Sequence, residues 1–185
     1  MDFDKVISDR HSARGFKGTK KPDYRAVIKA IDAANKAPLA GNIATFKYLV
    51  ISDKVKISRL AQAAQQNFIS SAAYVVVLCS DKSILEKSFY NKTQTYLRQQ
   101  AGAAIENFLL SITNQKLSSC WIGLFDENTV RNTLSIPVPI EIEALLPVSY
   151  ELHKDKQKRK PNLNNNLFFH RYDNKHMNPQ FITET

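Results

Sequence analysis

Two guanidiniums, an imidazole and a hydroxyl stand together in Arg10-His11-Ser12-Ala13-Arg14, directly after a short apolar-periodic opening. Arginine carries a fork of donors matched to phosphate or carboxylate oxygens, and serine adds a neutral donor at short range. The group reads either as an anion cradle or as a solvated helix end whose cations complement the helix dipole. A second basic run, His153-Lys154-Asp155-Lys156-Gln157-Lys158-Arg159-Lys160-Pro161, could track a nucleic-acid backbone, yet a proline and an asparagine-rich loop follow it at once. Gln65-Gln66-Asn67 supplies three carboxamides, each able to donate and accept, at home at the polar edge of a ligand or on a solvated helix face. Phe89, Tyr90 and Tyr96 punctuate an otherwise polar stretch, as stacking surfaces or as anchors pinning a loop to the core. Cys79 and Cys120 lie in apolar runs without metal-ligand spacing, so they are expected to be small buried hydrophobes in a reducing cytoplasm, with no metal site.

The elements that position these groups follow from periodicity. Asp2 or Asp4 can cap a first helix with Phe3, Val6 and Ile7 on one face, running out near Asp9. Pro22 and Asp23 open a second helix with Val27, Ile28, Ile31 and Ala34 on its buried side, and Pro38 closes it. A Pro38–Asn42 turn leads to a strand over 48–52. A helix is expected over 54–69, with Ile57, Leu60, Ala61, Ala64 and Phe68 inward, then a fully buried strand over 73–79. From 81 to 95 no periodic pattern stands out. Leu97, Ala101, Ala104, Ile105, Phe108 and Ile112 mark a nearly all-apolar helix, which is therefore central. A strand over 118–124 follows, then a short helix capped by Asp126. The last strand, over 142–152, holds Pro147, and a proline there suggests an edge or a bulge. Leu167, Phe168, Phe169 and Tyr172 make the tail too aromatic to stay solvated, so it is expected to pack on its own domain or on a partner subunit.

At 185 residues, with 43% apolar and 23% charged residues, the chain fits one globular domain. We expect a domain over 1–163 and an arm over 164–185. No apolar run approaches the length that spans a bilayer, and Met1-Asp2-Phe3-Asp4 is a poor start for a signal peptide. The net charge of +9 gathers around 17–21 and 154–160. Nucleic acid, an anionic membrane surface, a phosphorylated small molecule or plain solvent would each suit it.

The unit from Leu97 to Phe125, closing on Cys120-Trp121-Ile122-Gly123, resembles the corresponding stretch of the FMN-dependent nitroreductase family. Arg-x-Ser-x-Arg followed by Phe16 is similar to that family's first flavin-binding stretch. Pro38-Leu39-Ala40-Gly41-Asn42 resembles its second, a turn that approaches FMN from the other subunit. The chain departs where the family often has Gln-Pro-Trp, showing Ala44-Thr45-Phe46. A basic residue before Pro161 matches a family phosphate contact, Arg159 best and Lys158 second. The resemblance spans 3–161 and implies an α+β three-layer sandwich, a mixed, mostly antiparallel sheet between helices, as a homodimer with FMN at the interface. It further implies that Arg10, His11, Ser12 and Arg14 hold phosphate and ribityl groups, that Pro38 and Ala40 pack on the flavin and that Asn42 offers it an amide. By the same resemblance Gln65 or Gln66 meets the pyrimidine edge, and Trp121, Ile122 and Gly123 border the ring, with backbone donors at Ile122 and Gly123. Phe89, Tyr90 and Tyr96 fall in the family's substrate lid. The implied activity is reduction of a nitroaromatic or quinone by NAD(P)H through hydride transfer in ping-pong order, with no catalytic side chain assigned. Neither nucleic acid nor membrane is then a partner. The alternatives are a narrower family task, such as reductive dehalogenation, or a flavin store or sensor without turnover.

Overall fold

Tyr74–Asp81 (β2) shows no polar alternation because both of its faces are covered. In the computed structural model, which describes residues 2–18, 20–153 and 160–177, β2 pairs antiparallel with Phe46–Ile51 (β1) on one side and Ile140–Ser149 (β4) on the other. Ser118–Ser119 (β3) pairs antiparallel with β4, giving the order β1-β2-β4-β3. The four strands thus pair antiparallel throughout, and outside them an isolated parallel bridge joins Ser12 to Ser119. Tyr74, Val76, Leu78, Ala144, Leu146 and Val148 face one helical layer, Tyr24–Asn35 (α2) and Thr93–Asn114 (α5). Val75, Val77, Cys79, Ile142 and Leu145 face the other, Lys54–Ala63 (α3) and Glu127–Leu134 (α6). The result is an α+β three-layer sandwich, as expected.

Several local rules set the boundaries. Asp23, Asp53 and Asp126 each accept a backbone N–H in the first turn of α2, α3 and α6. Phe3–Asp9 (α1) buries only Val6 within the chain. In α2 the buried residues are Val27, Ala30 and Ala34, and Ile28 is 50% exposed, so its expected place in the core is corrected. The expected helix over 54–69 breaks early: Gln65 turns left-handed (φ 53°) and Asn67–Ser71 resumes as a 3-10 segment. The stretch that looked patternless holds a helix, Lys82–Phe89 (α4), whose first turn Asp81 caps through Ser83 N.

β4 is an interior strand, although it holds Pro147. The Leu145 N–H points to Ile122 on the β3 side, so the donor Pro147 lacks falls on that side too, between the Ser119–Val148 pair and the Leu145–Ile122 bridge. There the ladder is interrupted and Cys120 and Trp121 leave it. The bulge lies elsewhere: the register with β2 slips between Leu78 and Cys79, leaving Glu143 as the extra residue.

The described residues fall into two compact units, one within 1–155 and the other within 156–185. In the second, Leu163–Asn166 (α7) is capped by Asn162, and Lys175 stands 3.8 Å over the Phe168 ring, which tilts against Tyr172. Among the described residues no helix is long and apolar enough to cross a membrane, and no cluster of His, Cys, Asp or Glu could hold a metal ion.

Candidate functional site

The 10–16 segment lies along the end of the sheet, fixed by Ala13 N to Ser119 O (3.1 Å) and Leu152 N to Gly15 O (3.0 Å). Ala13 and Phe16 are buried against Ala72 and Phe68, which leaves Ser12 and Arg14 on the outside. Two of the four expected anion ligands already have acidic partners. Arg10 Nε pairs with Glu106 Oε1 of α5 at 3.1 Å. His11 Nε2 meets Glu151 Oε1 at 2.8 Å and its Nδ1 meets Asp9 O at 2.9 Å, so both ring nitrogens face acceptors. Arg14, by contrast, has no carboxylate partner among the described residues. Ser12 and Arg14 converge on Cys120: burial pushes that thiol's pKa up, while the Ser12 hydrogen bond and the Arg14 charge pull the other way.

Released from the ladder opposite Pro147, Trp121 lays its indole on α5. A Cβ on Gly102 would stand 3.7 Å from Trp121 Cη2, so the small residue provides the seat. The expectation that Ile122 offers its backbone N–H to a ligand is corrected: that donor is spent on Leu145 O at 3.1 Å. The Gly123 N–H has no acceptor among the described residues, and a side chain there would meet only Trp121 Nε1, at 3.8 Å. Gln65 is exposed at the left-handed turn, and Gln66 N–H is bonded to Ala61 O; both belong to the α3 corner whose Ala63 and Ala64 pack in one cluster with Cys120 and Ile122.

A second group gathers against α5 at Tyr96, Gln99, Gln100 and Ala103. Pro38, Leu39, Ala40, Tyr96, Gln99, Gln100 and Ala103 line a pocket of about 320 Å³. Gly41 and Asn42 both adopt φ 57°, and a Cβ on Gly41 would stand 3.0 Å from the Phe89 ring. Phe89 meets Tyr96 edge-on at 5.2 Å. Tyr90, expected beside them, is 84% exposed. Lys158 and Arg159 lie outside the described residues.

Thus the expected residues fall into two groups, one at 10–14 with 120–123 and one at 38–42 with 89 and 96, both leaning on α5. Sequence reasoning missed Gln100, Glu106 and Glu151. Gln100 could have been found: it is a carboxamide at a position of α5 where periodicity calls for an apolar side chain, next to buried Leu97, Ala101 and Ala104.

Comparison with known proteins agrees with this geometry. The model of the Nitroreductase family matches residues 7–95 and 62–150. A Streptococcus pyogenes protein named as a putative NAD(P)H nitroreductase is 28% identical, over 83% of this chain and 92% of its own. An iodotyrosine deiodinase of Thermotoga neapolitana is 24% identical, over 78% and 86%. Among solved structures, a nitroreductase family protein of Streptococcus pneumoniae superposes with a TM-score of 0.82 at 23% identity, covering 90% of this chain and 98% of that one. An FMN-dependent nitroreductase of Clostridium difficile gives a TM-score of 0.72 at 22% identity, over 83% and 90%. A match that runs from the end of the first helix through the central helix and the whole sheet leaves one conclusion: this chain belongs to the nitroreductase family.

Proposed function

We propose that the protein is an FMN-dependent NAD(P)H oxidoreductase, acting as a homodimer on small electron-poor acceptors such as nitroaromatics and quinones. The observation that carries this reading is a set of unspent donors on two segments, 12–14 and 121–123, which the Ala13 N–H to Ser119 O bond holds beside one another. The Arg14 guanidinium, the Gly123 N–H and the Trp121 indole N–H have no acceptor among the described residues, and the Ser12 hydroxyl stands exposed beside them. That donor set suits a ligand that ends in a phosphate and carries carbonyls on a flat ring. Arg14 and Ser12, with Arg10 and His11 behind them, would bind the phosphate and ribityl chain, and Gly123 and Trp121 would border the ring. Bound there, FMN would accept hydride from NAD(P)H and pass the electrons to the second substrate, in ping-pong order.

The chain's own part is to bind, orient and shield. The pocket between the Pro38–Asn42 turn and α5, lined by Tyr96, whose ring Phe89 meets edge-on, has the size and apolar lining for a one- or two-ring acceptor. In the C2 dimer we propose, that turn would reach the flavin held by the other copy's 10–14 segment. Phe3 and Ile7, 65% and 50% exposed on α1, are the apolar side chains a second copy would cover.

The test is the visible spectrum of the purified protein, followed by NADPH or NADH without oxygen. A yellow protein whose colour bleaches, and returns when a quinone is added, supports the reading. A protein that takes up no added FMN rules it out, and a yellow protein that neither dinucleotide bleaches favours storage or sensing. The deiodinase among the relatives gives one narrower activity a specific motive, and turnover of an iodinated phenol beside a quinone would decide it.

A further inference from the structure

Gln100 is 4% exposed, in the middle of a helix face that otherwise carries apolar side chains. A buried carboxamide is costly unless its hydrogen bonds are made. Its Oε1 accepts the Ala40 N–H at 3.2 Å, and its Nε2 donates to Thr45 Oγ1 at 2.6 Å. Thr45 is itself wholly buried and is fixed to the sheet through its carbonyl, which accepts Asp81 N–H at 2.9 Å. One side chain therefore ties the start of the Pro38–Asn42 turn to the residue that enters β1. Between those two points the chain must double back. It does so with Leu39 O accepting Asn42 N–H, Ala40 O accepting Ile43 N–H, and left-handed backbone at Gly41 and Asn42. From the other side the Phe89 ring closes on Gly41 so tightly that a Cβ would stand 3.0 Å away.

We infer that Gln100 is a positioning residue for the cofactor: it holds the Pro38–Asn42 turn in the one shape that presents Ala40 and Asn42 outward. The inference rests on the reading of that turn as a flavin contact. Asn42 is exposed, carries a positive φ that asparagine tolerates better than most residues, and its side chain makes no hydrogen bond among the described residues. A turn built this way is preorganised, so loosening it costs affinity rather than fold.

The experiment uses the full-length protein stripped of flavin and reconstituted with FMN, at a temperature where circular dichroism reports every variant folded. Gln100→Met keeps the volume and removes both hydrogen bonds. Thr45→Val removes one of them, and Thr45→Ser keeps both. The FMN dissociation constant is expected to rise about tenfold in Q100M and several-fold in T45V, the scale of one or two buried hydrogen bonds. T45S is expected to bind like the parent. Should Q100M fail to fold, the T45V and T45S pair carries the same comparison. A parent that binds FMN beside a Q100M or T45V that binds it equally well overturns the positioning role alone. A parent that takes up no FMN overturns the flavin reading together with it.

Discussion

Arg10 and Arg14 look equivalent in the sequence, and their surroundings separate them. Arg10 already meets Glu106, a carboxylate that is 46% exposed. Such a pair contributes on the order of 0.2–1 kcal/mol and can be exchanged for a better anion at small cost. Arg14 has no such partner to give up among the described residues. Replacing Arg14 by alanine should weaken FMN binding by roughly 10- to 100-fold, at about 1.5–3 kcal/mol for hydrogen bonds to a charged group. Glu106→Gln, which frees Arg10, should tighten it by about two- to fivefold, the same pair energy recovered. Flavin fluorescence titration measures both, and an R14A protein that binds like the parent would remove Arg14 from the site. The thiols give a second test. Burial pushes Cys79 up to about 12, with Glu143 adding to the rise, and it pushes Cys120 up as well. Both should therefore resist a thiol reagent at pH 8 until the protein is unfolded. A raised folded-state pKa means that their contribution to stability is complete below the unfolded thiol value of about 8.5 and is lost as pH climbs above it. Denaturation midpoints that stay flat from pH 8 to 11 would contradict that burial.

Elements were legible where one residue type decides one boundary. The continuous apolar run of β2 announces an interior strand, the 97–112 periodicity announces α5, and Asp23 and Asp126 announce their helices because each cap is a local bond between neighbours. What stayed hidden depends on partners distant in sequence. The α3 helix ends at Ala63 although nothing in Gln65-Gln66 forbids another turn; Ala63 O is instead taken by Asp126 N–H at 2.8 Å, an acceptor claimed from across the fold. The Glu143 bulge is equally silent in sequence, since it is a mismatch between two strands. Its consequence can be measured. The bulge turns Glu143 inward, where Oε2 meets Arg98 and Oε1 is buried without a hydrogen-bond partner among the described residues. Arg98 is itself half exposed, so its pairing is partly screened, and Arg98→Ala should cost about 2–3 kcal/mol, somewhat less than for a fully buried pair. Urea unfolding of the parent and of R98A measures that loss, and an R98A protein as stable as the parent would mean that Glu143 finds another cation.

At the scale of the molecule, the expected site is split between two places on α5, and a second copy is what would rejoin them. The first helix is the most telling element. Its periodicity announces a buried face of Phe3, Val6 and Ile7, yet within one chain Val6 alone is buried, while Phe3 and Ile7 stay 65% and 50% exposed. A helix that packs on α5 by one residue in three keeps the rest of its apolar face uncovered among the described residues, where the second copy proposed above would seat. The same helix leads straight into Arg10–Arg14, so whatever seats α1 also fixes the proposed phosphate ligands. Association and flavin binding should therefore fail together. Ile7→Glu places a charge where the second copy would pack, and a buried unpaired charge in an interface costs several kcal/mol, enough to separate a micromolar dimer. Sedimentation velocity should show the parent as a dimer and the I7E variant as a folded monomer. FMN uptake, followed in the same cell by visible absorbance, should fall with the dimer fraction. Val138→Glu, equally charged and on the exposed turn between α6 and β4, should leave both signals at parent values. An I7E monomer that still binds FMN at parent affinity would mean that one chain completes the site unaided, and the role proposed for the second copy would fall.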